Sequence, residues 1–410
     1  MKFFSIATAI IFACVTFCNA ADWPQILGPN RDGKTNETLN PSWPEKGPPI
    51  VWKYELGQGF SGVAVAGKQV FAFHRRGDQE RVEAIDRVTG KRIWKSDADA
   101  YYRGGFNPDS GPRCVPLVIE KRVFVFGAAG VARAIDRSSG ETIWSRDLHK
   151  DYGAQEGYFG AGSTPIVVDD LLLINVGGRK NAAIVAVETA TGKTRWNVVS
   201  DEASYSSPVP FSFHGKTHVV FITRLNTVAI DPSNGRVAFS IPFGARGPTV
   251  NAAMPVFSDG TLFLTASYGI GAKLLGISKN AGAEILWSND DSLSSQYNTP
   301  IAHDGFLYGI HGREDVGSAE LRCIEAKSGA VRWSKPQFGV AHLLMIGDKL
   351  VTLTIDGEIV VFSTNTNRCV ELARAQVSAG TTRALPAYSD GQLFVRDTKQ
   401  LYCVQLNPHD

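Results

Sequence analysis

The sequence predicts an all-β fold: an eight-bladed β-propeller of four-stranded antiparallel blades, its ring closed by the N-terminal strand. Three observations predict it. The pattern Ala-x-Asp-x-x-(Thr/Ser)-Gly-x-x-x-Trp recurs along the chain, at a period of roughly 40 to 50 residues, the length of a propeller blade. No segment carries a helical period of convincing length. The last unit is one strand short, and an orphan strand of matching character, "PIVWKYE" around Trp52, stands at the other end.

The copies read as follows. Ala84 to Trp94 and Ala134 to Trp144 fit as written. Ala186 to Trp196 has Glu188 in the aspartate place, and Cys323 to Trp333 has Glu325 and Ser328-Gly329. Ala229 to Phe239 has Asn234 before Gly235 and ends in phenylalanine. Gly276 to Trp287 fits with one residue inserted after Gly282. A decayed copy runs from Val361, with Asn367 in the glycine place, no tryptophan and a last strand ending near Leu372.

Each copy has a readable physics. Alternating apolar runs such as "VFVFG" before the motif are strands. The Asp and Thr side chains bond nearby backbone in the connection, and the glycine supplies a left-handed residue. Asn367 is expected to take the same conformation. The aromatic residue closing each unit is expected to dock on the neighbouring unit. These residues are Trp52, Trp94, Trp144, Trp196, Phe239, Trp287 and Trp333. The pairs Asp169-Asp170, Asp259-Gly260, Asp304-Gly305 and Asp390-Gly391 mark tight hairpins.

After Leu372 come three strands, "TRALPAYSD", "QLFVRD" and "LYCVQL". The strand at Trp52 completes them, which gives eight blades and leaves no open sheet edge. A linear solenoid would lack such complementary ends. A seven-bladed ring would have to treat the Val361 copy as a loop.

The chain divides into a signal peptide (1–20), an extended N-terminal strap (21–48) and the propeller (49–407). Lys2, the apolar run after it and the small residues ending at Ala20 are the marks of export. A lipidated cysteine at Cys14 or Cys18 is disfavoured by Phe12 and Phe17 at positions that prefer small residues. The protein is therefore expected in the periplasm or outside the cell. The formal net charge is only +2, with no Lys/Arg run. That speaks against nucleic-acid binding through a basic face. Cys114, Cys323, Cys369 and Cys403 follow the signal, widely spaced and without a CxxC. They are expected as buried strand residues; one pair could bridge, and spacing does not choose it.

The repeat resembles the pyrroloquinoline-quinone (PQQ) repeat of quinoprotein-type propellers, over Trp52 to Leu406. That repeat occurs in quinoprotein alcohol dehydrogenases and in the non-enzymatic propeller of the outer-membrane assembly machinery, BamB. The opening "DWPQILGPNRDG" is similar to that of a broad group of exported, planctomycete-type PQQ-repeat proteins. The resemblance implies the propeller fold. Under a dehydrogenase reading it would also imply PQQ with calcium, a carboxylate base and a disulfide between adjacent cysteines. The sequence has no Cys-Cys pair. Its motif tryptophans are assigned to docking, so no cofactor, metal or catalytic residue is assigned.

His214-x-x-x-His218 flanks a hairpin turn, and Gly269–Gly276 lies between strands with no helix following. Neither is expected to hold a metal or a phosphate. The binding surface is expected at the central funnel, where the segments leading into each first strand converge. They bring Arg113, Tyr158, Ser163, Tyr205, Asn251, Tyr297, Asn298, His342 and Arg383. Two outcomes are open there: a ligand or peptide site favouring an acidic group, or residues that satisfy one another around a narrow channel. The long insertion Tyr101–Arg113 adds Tyr102, Arg103 and Phe106 as recognition candidates. The expected role is that of an exported, non-catalytic binding or scaffolding module, for envelope proteins or a small extracytoplasmic ligand. The alternative is a PQQ-dependent dehydrogenase.

Overall fold

The computed structural model describes residues 22–213, 215–247, 249–278 and 282–407. The expected signal segment and His214 lie outside them. The strands form eight sheets, each with four antiparallel strands that are consecutive in all but the last; the seventh also carries Lys34–Thr35 as a fifth, parallel strand. In ring order the inner strands are Ala64–Ala66, Leu117–Ile119, Ile166–Val168, Val209–Phe213, Val256–Ser258, Ile301–His303, Ala341–Ile346 and Ala387–Ser389. We number the blades 1 to 8 in this order. The inner strand of blade 1 lies against those of blades 2 and 8, so the ring is closed. One helix is present among the described residues, Leu148–Tyr152, capped by Asp147 after the outer strand of blade 2.

Closure occurs where the sequence places it. Ile50–Glu55 pairs antiparallel with Gln400–Gln405, with Trp52 opposite Cys403 and Lys53 opposite Tyr402. The seam is reinforced by a buried polar cluster. The Tyr54 hydroxyl donates to Glu83 Oε2 at 2.8 Å, and His74 Nε2 lies 3.3 Å from the same oxygen. His74 Nδ1 accepts from the Gly57 N–H, so Nε2 carries the proton and the ring is neutral.

The motif turn has the expected chemistry. Asp86 Oδ1 accepts from the backbone N–H groups of Val88 and Thr89 and from the Thr89 hydroxyl. Gly90 has φ +68°. In the short hairpins Asp259-Gly260, Asp304-Gly305 and Asp390-Gly391 both residues have positive φ, the pairing of a type I′ turn.

The glycine has a second duty that the pattern alone does not reveal. A Cβ on Gly90 would stand 2.8 Å from the Trp52 ring, and on Gly140 2.7 Å from Trp94. Gly192 and Gly235 lie under Trp144 and Trp196 in the same way. Each tryptophan therefore lies flat on the turn of the next blade. Its indole N–H donates to a carbonyl there: Trp52 to Arg87, Trp94 to Arg137, Trp144 to Thr189, Trp196 to Pro232, Trp287 to Ala326 and Trp333 to Asn365.

Three details of the repeat are corrected by register. Leu274, not Gly276, stands opposite Trp287, so blade 5 carries three extra residues in its connection rather than one. Ala373, not Leu372, occupies the tryptophan place of blade 7, opposite Val361. Asn367 is not among the left-handed residues. The Asn365 side chain makes that turn instead, accepting from the N–H groups of Asn367 and Arg368.

Blade 7 has no tryptophan, yet the interaction is present. Trp43, from the strap, donates its indole N–H to the Leu406 carbonyl at 3.0 Å. Leu406 lies three residues after Cys403, as Arg87 lies three after Ala84. The strap thus supplies the dock that the decayed copy lost.

All four cysteines of residues 22–407 are free. Cys323 and Cys403 occupy the alanine place of the motif, opposite Trp333 and Trp52. Burial pushes Cys114 and Cys403 up to about 12, which makes them poor nucleophiles.

Candidate functional site

The ring axis has two unlike mouths. One is crossed by the strap. Trp23 pairs with Val65 of blade 1, Pro24 accepts from Val118 of blade 2, and Lys34–Thr35 add a parallel strand to blade 7. Between these anchors Arg31 turns inward at φ +58°. Its guanidinium donates to the carbonyls of Pro165 and Pro208, at the inner strands of blades 3 and 4. Gln25 Oε1 accepts from its Nε at 2.8 Å. Burial pushes Arg31 down to about 9.

Above the strap, the segments leading into the inner strands are laced together around the axis. Val115 N–H donates to Thr164 Oγ1, and Thr164 N–H to Ser207 Oγ. Ser206 Oγ donates to the Ala253 carbonyl, and Met254 N–H to Thr299 Oγ1. Asn298 Nδ2 meets His342 Nδ1 at 3.3 Å, and His342 Nε2 donates to the Arg383 carbonyl at 2.9 Å. Arg396 Nη1 reaches the Ser61 and Phe73 carbonyls, and Ser61 Oγ donates to the Cys114 carbonyl. The relay passes through all eight blades. The recurring hydroxyl-Pro pairs, Thr164-Pro165, Ser207-Pro208 and Thr299-Pro300, supply three of its acceptors.

The other mouth opens into a cavity of about 460 Å³. Of the sequence candidates, Arg113, Tyr205, Tyr297, His342 and Arg383 line it. Asn251 and Asn298 are buried in the relay; Asn251 accepts at its carbonyl from the N–H groups of Tyr205 and Ser206. Ser163 is buried beside the relay, with its hydroxyl unpartnered. Tyr158 lies outside the lining and carries Phe106 edge-on at 5.0 Å. Within the insertion, Tyr102 is a buried anchor whose carbonyl accepts from Arg75. Arg103 is exposed and paired with Asp78, and Phe106 is 73% exposed at the rim.

Sequence reading missed the other half of the lining. Ile26 arrives from the strap and belongs to the floor. Phe60 lies under two guanidinium groups, Arg113 at 5.3 Å and Arg383 at 5.7 Å. Met254 and Leu385 contribute apolar wall. Glu314, from the loop after Phe306–His311, is forked by Arg383 and accepts from the Tyr297 hydroxyl at 2.9 Å. Burial works to raise Glu314, but these two partners outweigh it and hold the carboxyl below its ordinary range. Burial pushes the Tyr297 hydroxyl up and His342 down to about 4. Phe60 stands four residues before the inner strand of blade 1, the place Arg113 holds in blade 2, so the equivalence of the entries could have marked it; Glu314 lies in a loop with no such signal.

The donor set does not fit a calcium-held quinone. Among the described residues the lining has two carboxylates, Glu314 and Asp315. Glu314 is forked by Arg383 and Asp315 by Arg313. No cluster of three potential metal ligands occurs among the described residues.

A family model described as outer membrane protein assembly factor BamB matches residues 46–153 and 78–335. The chain belongs to this family. The BamB protein of Moranella endobia is 22% identical over 280 residues, covering 62% of this chain and 64% of its own. The chain thus spans less than two thirds of that relative's length. A quinohemoprotein alcohol dehydrogenase of Pseudomonas putida is 30% identical over 156 residues, 36% of this chain and 21% of its own. The crystal structure of BamB from Moraxella catarrhalis superposes with a TM-score of 0.64 at 15% identity, covering 88% of this chain and 98% of that one. At that identity the likeness shows the BamB-type fold alone.

Proposed function

We propose that this chain is an exported, non-catalytic propeller that holds envelope proteins or a small extracytoplasmic ligand on its open face. The observation that carries this reading is the condition of Glu314. A general base needs a lone pair aimed at substrate and a proton affinity near the working pH. Glu314 has both oxygens engaged by Arg383 and Tyr297 and is held below the ordinary carboxylate range. It shapes the cavity and is a poor base. The family membership and the strap-closed far mouth support a docking platform, and the exposed Phe106 at the rim supplies an apolar contact.

Placing a photo-crosslinking residue at position 106 tests this. Exposure to envelope extract is expected to give a discrete protein adduct that a neighbouring Tyr101→Asp change weakens. The dehydrogenase reading, favoured by the stretch shared with the Pseudomonas enzyme, makes the opposite prediction. Retention of added PQQ with calcium through gel filtration, with dye reduction by an alcohol, would overturn our proposal.

A further inference from the structure

We infer that the open cavity takes a single carboxylate carried on an apolar body. This rests on the reading of the chain as a binding module and names the chemistry of what is bound. Charge is the first observation. Four arginines surround the cavity: Arg113 and Arg383 in its wall, Arg31 beneath and Arg396 behind Phe60. Arg31 has only carbonyls and the Gln25 amide oxygen as acceptors, and Arg396 only carbonyls. Neither has a carboxylate within ion-pair distance among the described residues. Both are buried, Arg396 to 1% exposure, so their charge acts through a medium that screens it weakly. Arg113 is ion-paired with Asp109 at 3.6 Å, whose oxygens also accept from the N–H groups of Gly59 and Gly111, and Arg383 is paired with Glu314. The excess positive charge is therefore that of Arg31 and Arg396, and it favours an anion.

Available donors are the second observation. Arg383 gives Nε and Nη2 to Glu314, and its Nη1 has no acceptor among the described residues. Arg113 gives Nη1 and Nη2 to the Gly111 and Asp109 carbonyls and keeps Nε. These two groups flank the Phe60 ring, so an anion between them meets charge-assisted donors above an aromatic face. Ile26, Val115, Val250, Ala252, Met254 and Leu385 give the cavity an apolar wall beside its polar groups, among them Tyr205, Gln296, Thr299 and Asp315. A fully hydrated dianion would leave that surface unmatched, and a neutral hydrocarbon would leave the guanidinium groups unmatched.

Such a carboxylate can be a free acid or the C-terminal residue of a polypeptide. Calorimetric titration of the full chain separates the two. The probes are 4-phenylbutyrate, its neutral amide, and the peptide Gly-Gly-Leu-Phe with a free or amidated C terminus. The expected result is one site, with the acid or the free-terminus peptide binding at least about tenfold tighter than its amide. The tighter of the two identifies the source. Arg383→Met is expected to lose about tenfold, and Ala252→Trp, which fills the cavity from a half-buried wall position, to abolish binding in a chain that still unfolds cooperatively. If Arg383→Met fails to fold, the acid–amide contrast and Ala252→Trp decide. Equal binding of acid and amide, no binding of any probe, or unchanged affinity in Ala252→Trp overturns the inference. An intact crosslink at position 106 beside that failure leaves the binding-module reading standing.

Discussion

The two mouths of the channel make opposite use of the same residue type. At the strap mouth, Arg31 is sealed against carbonyls of two blades. At the open mouth, Arg383 is one third exposed and shares its charge with Glu314. The repeat relates blade to blade by rotation about the axis, not mouth to mouth, so the two ends are built from different loops. The strap adds to that difference: a single segment closes one mouth and leaves the cavity open at the other. If this division holds, changes at the strap mouth should cost stability, and changes at the open mouth should cost ligand affinity.

Arg31→Ala is the strongest test. It removes a large buried side chain and strands the Pro165 and Pro208 carbonyls. A loss of about 4 kcal/mol is expected, from the cavity and the unsatisfied acceptors together. Denaturant unfolding measures it. A midpoint equal to wild type would mean the strap rests on the ring without plugging it.

Acid titration sharpens the comparison from the open side. His342 is held neutral, with Nε2 donating to Arg383 and Nδ1 accepting from Asn298. Burial drops it from 6.5 to about 4, and His149 likewise. The unfolded chain takes up these protons below about pH 6.5, while the folded chain resists until about pH 4. The contribution of these histidines to stability is therefore complete above pH 6.5 and is lost as pH drops toward 4, about 3 kcal/mol for each. Burial shifts His74 and His311 in the same direction. His342→Gln keeps a donor and an acceptor but cannot protonate. Its unfolding free energy should decline less steeply with acid, by one proton's worth. Parallel curves for variant and wild type would show that His342 titrates normally in the fold.

What could be read in advance follows from what each feature depends on. The rim docks, the Asp–Gly hairpins and the closing strand at Trp52 depend on local chemistry repeated many times, so the sequence displays them. Asn367 shows the limit: a residue permitted to be left-handed was expected to be so, but an upstream Asn365 offered a better turn. The cavity was half legible. Arg113, Tyr205, Tyr297 and Arg383 each stand four residues before an inner strand, and so does Phe60, whose entry segment carries no motif of its own; Glu314 and Ile26 reach the cavity from unrelated segments. The division between relay and lining depends on side-chain direction, which periodicity does not encode. The plug at Arg31 depends on carbonyls more than 130 residues away.

Trp43 is the smallest of these tests and extends the comparison from the mouth to the rim. It makes the same indole-to-carbonyl contact as the motif tryptophans, but it reaches Leu406 from the strap rather than from a strand of blade 7. Its ring is only partly buried, at the edge of the core joining blades 7, 8 and 1. Trp94 is 8% exposed and packed between two blades. Trp94→Ala is therefore expected to cost roughly 3–5 kcal/mol, as full core truncations do, and Trp43→Ala about 2. The loss in Trp43→Ala should be local: amide exchange should accelerate in Gln400–Gln405 and Ile50–Glu55 while blades 3 to 5 keep their protection. Uniform acceleration around the ring would instead make the strap a global tie, with Arg31 and Trp43 acting as one unit. A Trp43→Ala plus Arg31→Ala pair would then lose less than the sum of the two.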